Sequence, residues 1–193
     1  MELTDTFKRV KEASKMLATI SDEKRNDILL AVADSIENNI PQLIADNALD
    51  LARMDKDDSM YDRLQLNETR LHDIAADMRH VSTLPSPLGR ILKEKTLDNG
   101  LHLRRISVPF GVIGMIYEAR PNVTFDVFSL CFKSGNACIL KGGKDADESN
   151  KAAIKIIHEV LRKFNINTSV VELLPATHEA TAEMLTAVGC IDL

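Results

Sequence analysis

Hydrophobic residues up to about position 80 recur three and four places apart, which is the spacing of helices that bury one face. We predict four helices: one from Leu3 through Leu17, one capped by Ser21, one with Pro41 in its first turn, and one capped by Asn67. The pattern indicates packing faces and solvated faces. It contains no arrangement of residues typical of catalysis.

Residues 90–106 follow a pair of prolines that ends the helical pattern, and they predict a β-hairpin. Asn99-Gly100 is a strong signal for a two-residue turn, and such a turn places Glu94 opposite Arg105. A charged hairpin of this length is either a solvated flap or an arm that joins subunits. Its leucines and isoleucines favour the arm, so we expect a homo-oligomer assembled through it.

The pattern changes again after residue 108, where short apolar runs alternate with helical ones. The predicted strands are Val112–Glu118, Ala137–Lys141, Val170–Leu174 and the beginning of a fourth at Cys190–Leu193. The predicted helices between them are Val123–Ser134, Asp147–Phe164 and Thr177–Val188. This alternation predicts an α/β fold with a doubly wound, Rossmann-like parallel sheet.

Composition narrows the functional classes. The formal net charge of −5 argues against nucleic acid as a partner. No apolar run approaches the roughly 20 residues needed to span a membrane, and the start of the chain lacks a secretory apolar segment. The three cysteines, Cys131, Cys138 and Cys190, lie in apolar surroundings, and the histidines show no metal-ligand spacing. We therefore expect a cytoplasmic protein without a metal site.

Candidate chemistry lies where the predicted strands end, because parallel sheets bind ligands at the carboxyl ends of their strands. Two such segments are informative, Glu118–Asn122 and Lys141–Lys144. The common nucleotide-binding motifs are absent, since no Gly-x-Gly-x-x-Gly follows a strand and Lys144 is followed by Asp145 rather than Ser or Thr. The spacing alone thus predicts an α/β domain that could bind a nucleotide.

Two segments carry a family resemblance. Tyr117-Glu-Ala-Arg-Pro-Asn122 resembles the γ-glutamyl phosphate reductases (glutamate-5-semialdehyde dehydrogenases), and Pro109-x-Gly-Val-x-Gly114 with Gly-Asn-x-x-x-x-Lys141 is similar to the wider aldehyde dehydrogenases. The resemblance covers essentially the whole chain. It implies an aldehyde-dehydrogenase-like fold and NADPH-dependent reduction of L-glutamyl 5-phosphate to L-glutamate 5-semialdehyde, with release of phosphate, in proline biosynthesis.

The resemblance also implies roles for the first strand exit. Asn122 would donate a hydrogen bond to the carbonyl oxygen that becomes negative during acyl transfer; it could equally cap the following helix. Arg120 would bind the substrate's phosphate or α-carboxylate, or else be a solvated arginine. Tyr117 and Glu118 are assigned to the cofactor site, although the residues alone give Glu118 no role beyond a salt bridge.

The second exit is implied to bind NADPH through Lys141, Gly142, Gly143 and Lys144. Aldehyde dehydrogenases often have a glutamate at the position of Lys144, where it accepts from the ribose 2′-hydroxyl of NAD. An ammonium group there would attract a 2′-phosphate instead. Gly142 and Gly143 would let the backbone approach the ribose. Without the resemblance, the two lysines would be interpreted as surface residues of a loop.

The family's nucleophile is a cysteine of a second, catalytic domain, which we expect to be absent from this chain. The chain would then be a truncated cofactor-binding domain (residues 1–89 and 107–193) with an oligomerisation arm (residues 90–106), inactive alone. Two alternatives remain open. One is another member of the aldehyde dehydrogenase superfamily, and the other is a non-catalytic binding or assembly module with this fold.

Overall fold

The structure, a computed structural model, describes residues 3–118 and 120–193. Its first part is helical, as predicted: α1 Leu3–Leu17, α2 Asp22–Asn38, α3 Ile40–Leu51, α4 Tyr61–Leu64 and α5 Glu68–Thr83. Ser21 and Asn67 cap α2 and α5, because their side chains accept from backbone N–H groups three residues later. Pro41 lies in the first turn of α3. The short helix α4 was not predicted.

The hairpin consists of β1 (Ile91–Thr96) and β2 (His102–Ile106), and every residue of both strands is exposed. The predicted register was wrong by one residue, because Glu94 pairs with Arg104 rather than with Arg105. The N–H of Leu97 donates to the carbonyl of Leu101, so the tight loop between these two residues holds three residues and not two. Only Gly100 in this loop has a positive φ, +84°. The new register also forms an ion pair, with 2.7 Å between Arg104 Nε and Glu94 Oε1.

The remaining elements alternate as predicted: β3 Val112–Ile116, α6 Asn122–Lys133, β4 Ala137–Lys141, α7 Asp147–Lys163, β5 Val171–Leu173 and α8 His178–Leu185. The strands form a parallel sheet in the order β3-β4-β5. Gly135, with φ at +72°, allows the chain to turn after α6. Cys190–Leu193 is not a regular strand, contrary to the prediction. Asp192 and Leu193 nevertheless make backbone bonds to Val112 and Gly114 of β3.

The position of these last residues explains why the sheet is doubly wound. They lie along β3 on the side away from β4, so the chain reverses its direction across the sheet at β3. Right-handed crossovers then put α6 and α7 on one face and α8 on the other. The helix α1 contacts all three strands and α8, so it covers the same face as α8.

The helical part and the sheet share one hydrophobic core. Buried residues from α1, α2 and α5 belong to the same cluster as those of β4, α6 and α7. The core is aliphatic except for a few phenylalanines, of which Phe128 and Phe132 stack with ring centres 5.3 Å apart. The helical part and the sheet with its helices therefore pack as one unit. Among the described helices, none is both long and apolar enough to cross a bilayer.

Candidate cofactor and substrate site

A chain of side-chain hydrogen bonds joins the end of β3 to α6 and α7. The hydroxyl of Thr124, on α6, donates to Asn150 Oδ1 on α7 at 2.8 Å. Since that bond uses Thr124's only hydroxyl proton, the Tyr117 hydroxyl, 2.6 Å away, donates to Thr124. Burial raises the pKa of Tyr117 to about 12, so the phenol keeps its proton. These contacts fix the first turn after β3 relative to both following helices.

Gly142 belongs to the same assembly. A Cβ at this position would collide with Asn150 Nδ2 and would lie 3.4 Å from the Tyr117 ring. The space that glycine leaves is therefore filled by Asn150, which gives this residue a packing reason that the sequence does not reveal. Its predicted contact with the cofactor ribose stays a prediction.

Asn122 is the first residue of α6, directly beyond the β3 exit. It does not cap the helix, because the cap position is Pro121 and, within the described residues, no side-chain cap hydrogen bond is formed. Its Nδ2 instead donates to Asp126 Oδ2 at 3.0 Å. Burial raises the pKa of Asp126 and the nearby charge of Asp77 adds to this, while the bond from Asn122 opposes it. Asn122 is half-buried and held in a fixed orientation.

Arg120 and Asn122 share a cavity of about 350 Å³ that lies between the start of α6, α4 and α5. The other residues that line it are Asp62, Arg63, Gln65, Leu66, Arg70, Asp73, Ile74, Asp77, Pro121 and Asp126. The helical region was interpreted as packing and solvated surface only. The structure shows that it also supplies most of this charged cavity, and α5 packs directly against α6.

The second strand exit, at the end of β4, borders a different cavity from the first. Lys141 ends β4, where its carbonyl accepts from the N–H of Tyr117 at 3.1 Å. Lys144 begins a short 3-10 turn, is exposed, and lines a cavity of about 650 Å³. That cavity also contains Asp147, Lys151 and the segment Leu173–Glu179. The β5 exit was missed, although the rule that ligands bind at strand ends applies to it equally.

The start of α7, close to Lys144, is closed by a carboxylate from the helical region. Asp50 on α3 accepts from the backbone N–H groups of Glu148 and Ser149, at 3.1 and 2.8 Å, and from the Ser149 hydroxyl at 2.6 Å. Its side chain is completely buried and also pairs with Arg53. The anion site that a helix start usually provides is thus already occupied.

The cysteines are placed largely as predicted. Cys131 and Cys138 are 5% and 1% exposed, and Cys190 is half-buried. Contact with Cys131 and burial raise the pKa of Cys138 well above its ordinary range. Glu118 and Arg120 are exposed, and neither side chain has an ion pair within residues 3–118 and 120–193. No group of three His, Cys, Asp or Glu side chains in the described part could hold a metal ion. Ala119 of the Tyr117–Asn122 segment lies outside the described residues.

Comparison with known proteins gives a consistent relationship. A scan against models of protein families found no match. The chain is 61% identical over 191 residues to a γ-glutamyl phosphate reductase of Bacteroides thetaiotaomicron, covering 99% of this chain and 46% of that protein. It is 60% identical over 193 residues to the reductase of Bacteroides fragilis, again covering 46% of that protein. The chain thus spans about half the length of the curated relatives it matches.

Solved structures show the same relationship in three dimensions. The crystal structure of γ-glutamyl phosphate reductase from Thermotoga maritima superposes with a TM-score of 0.91 at 32% identity, over 96% of this chain and 46% of that one. An aldehyde dehydrogenase from Listeria monocytogenes has a TM-score of 0.75 at 15% identity, over 97% of this chain and 39% of that one. The second likeness concerns the fold alone. The sequence identity together with the first superposition shows that this chain is similar, over almost all of its length, to about half of a γ-glutamyl phosphate reductase, and that it has the aldehyde dehydrogenase fold.

Proposed function

We propose that this chain is the cofactor-binding part of a cytoplasmic enzyme that reduces L-glutamyl 5-phosphate to L-glutamate 5-semialdehyde with NADPH. The observation that carries the proposal is the Tyr117–Asn122 segment at the β3 exit, in a chain 61% identical to a γ-glutamyl phosphate reductase. The order in which the chain adds strands across the sheet reverses at β3, and doubly wound folds bind their ligands at such a point. The alternative is that the chain belongs to another aldehyde dehydrogenase. Solved aldehyde dehydrogenases such as those from Listeria monocytogenes and Corynebacterium glutamicum share 15% and 18% identity with this chain, which supports the alternative less than the 61% identity supports a reductase.

The cavity at the β4 and β5 exits fits a phosphorylated nucleotide. Lys144 has no carboxylate partner in the described part of the chain, so its ammonium is available to a 2′-phosphate. Lys151, on the same cavity, is paired with Asp147 at 2.7 Å and contributes less. Leu174 and Pro175 add an apolar wall suited to an adenine ring. When bound, NADPH would supply the hydride.

Asn122 is the chain's own contribution to the acyl-transfer step. Its side-chain amide has two N–H groups, and Asp126 accepts from one of them at 3.0 Å. The second has no acceptor among the described residues and would donate to a substrate oxygen, and the bond to Asp126 holds it in one direction. Such a prearranged donor stabilises negative charge that develops on a carbonyl oxygen. Arg120 lies on the same cavity and would bind an anionic group of the substrate.

We also propose that the hairpin at residues 90–106 joins subunits. Five of its leucines and isoleucines are about half exposed, for example Leu92 at 57% and Ile91 at 53%, and an isolated two-stranded hairpin is only marginally stable in water. Replacing residues 92–105 by a short Gly-Ser linker should lower the sedimenting mass. Substituting Asp98 by Asn in the loop is the control. A linker variant that keeps the native assembly would reduce the hairpin to a flap.

The proposed function is tested by binding and by turnover on the same protein. We expect the chain to bind NADP⁺ only weakly and to show no NADP⁺-dependent oxidation of L-glutamate 5-semialdehyde in phosphate buffer, since Cys131 and Cys138 are buried. Absence of nucleotide binding would favour a non-catalytic module. Turnover that disappears when Cys131, Cys138 or Cys190 is changed to Ser would place the nucleophile in this chain.

A further inference from the structure

The cavity between α4, α5 and α6 carries both positive and negative groups, but not all of them are available to a ligand. Arg70 is committed to the fold, because it donates to the Gln65 carbonyl at 2.7 Å and pairs with Asp62 at 2.9 Å. Arg63 contacts only the sulfur of Met60, at 3.7 Å. Within the described residues, the guanidinium groups of Arg63 and Arg120 therefore lack a carboxylate partner.

The negative side of the cavity is formed by two facing helices. Asp73 and Asp77 lie four residues apart on α5, which places them on one face, and neither has a hydrogen bond or ion pair within residues 3–118 and 120–193. Asp126 faces them from α6. The mutual repulsion of Asp77 and Asp126 contributes to the raised pKa of Asp126. A cation placed between the two carboxylates would relieve this repulsion.

These groups match one kind of ligand. An α-amino acid head carries an ammonium and a carboxylate on the same carbon, and the cavity offers uncommitted carboxylates and uncommitted guanidinium groups within about 350 Å³. A purely anionic ligand would meet four carboxylates, those of Asp62, Asp73, Asp77 and Asp126, and an apolar aldehyde would pair with none of the charged groups. The lining therefore favours a zwitterion over both.

We propose that this cavity binds the α-amino acid head of the substrate, with Asp77 and Asp126 binding the α-ammonium and Arg120 binding the α-carboxylate. The inference deepens the proposed function and depends on it for the identity of the substrate. Asp126 then has two tasks, since it also holds the amide of Asn122 at 3.0 Å. One carboxylate thereby links recognition of the amino acid head to the orientation of the donor at the reacting carbonyl.

Backbone amide shifts of the labelled chain test the proposal, with L-glutamate and N-acetyl-L-glutamate as probes. The two probes differ in the ammonium, which acetylation removes. L-Glutamate should shift the amides of Asp77, Asn122 and Asp126 saturably and bind at least about tenfold more tightly than the acetylated probe, since a charge-assisted bond is lost. Asp126→Asn should weaken L-glutamate at least about tenfold, whereas the loop variant Asp98→Asn should not.

Equal affinity for the two probes, shifts confined to another surface, or no saturable shift would each overturn the subsite. An NADP⁺ titration of the same sample separates this failure from failure of the proposed function. Shifts at Lys144 on adding NADP⁺, without a response to L-glutamate, would refute the amino acid subsite alone. Absence of both responses would refute the proposed function as well.

Discussion

The starts of α6 and α7 lie at the same edge of the sheet, but they differ in whether a side chain accepts hydrogen bonds from their backbone N–H groups. At α7, the buried carboxylate of Asp50 accepts three hydrogen bonds from Glu148 and Ser149. At α6, the part of the chain that the structure describes forms no side-chain cap hydrogen bond, and Asn122 donates its amide N–H to Asp126. One helix start is thus closed by the protein itself, and the other is left beside a charged cavity.

The difference indicates what the helical region contributes. Through Asp50 it fixes α7 and removes a helix start that would attract anions nonspecifically. In the proposed function, the cofactor phosphate at this edge is therefore assigned to side chains such as Lys144. Through α4 and α5 it supplies the walls of the cavity at α6. The region that carries no catalytic pattern in sequence therefore closes one helix start and lines the cavity beside the other.

Removing the Asp50 carboxylate, which accepts hydrogen bonds from the start of α7, should have the largest effect on stability. Asp50→Ala leaves two backbone N–H groups and the Ser149 hydroxyl without their acceptor, and we expect a loss of about 3 kcal/mol in the free energy of unfolding. Urea denaturation measures it. Asp46→Ala, on the same helix, removes only an exposed bond from Gln42 and is the control. If the two variants are equally stable, Asp50 does not fix α7.

Adding a side chain at Gly142, where the chain packs against Asn150, should lower the free energy of unfolding by less. Gly142→Ala puts a Cβ against Asn150, and overpacking of this kind costs about 1–3 kcal/mol. The same substitution in an Asn150→Ala background should cost at least about 1 kcal/mol less, because the obstructing side chain is gone. Equal costs in the two backgrounds would show that Asn150 is not the obstacle. Both values come from the same denaturation experiment.

Removing the hydrogen bond between Tyr117, at the end of β3, and Thr124 should have the smallest effect on stability. Tyr117→Phe removes the bond to Thr124 and keeps the ring, and we expect a loss of about 1 kcal/mol. Tyr61→Phe is the matched control, because the Tyr61 hydroxyl has no bond in the described part of the chain, and it should change stability by less than about 0.5 kcal/mol. A Tyr117 variant as stable as that control would argue against the buried chain of bonds.

The sequence predicted what depends on neighbouring residues. The caps at Ser21 and Asn67 and the alternation of strands and helices from β3 to α8 were confirmed, since each is determined within a few positions. The hairpin register was missed because Asn99-Gly100 is compatible with loops of two or three residues. The bonds of Asp50 join residues 98 and 99 positions apart, and no local pattern indicates them. The cavity at Asn122 likewise depends on the packing of α5 against α6.

The nucleotide preference of the chain tests the central claim, that side chains at the β4 exit bind the cofactor phosphate. Dissociation constants for NADP⁺ and NAD⁺ are to be compared for the wild type, for Lys144→Glu and for Lys24→Glu, an exposed lysine on α2. We expect the wild type to prefer NADP⁺, and Lys144→Glu to reduce that preference at least about tenfold, because attraction of the 2′-phosphate becomes repulsion. Lys24→Glu should leave the preference unchanged. A Lys144→Glu variant with the wild-type ratio would contradict the claim.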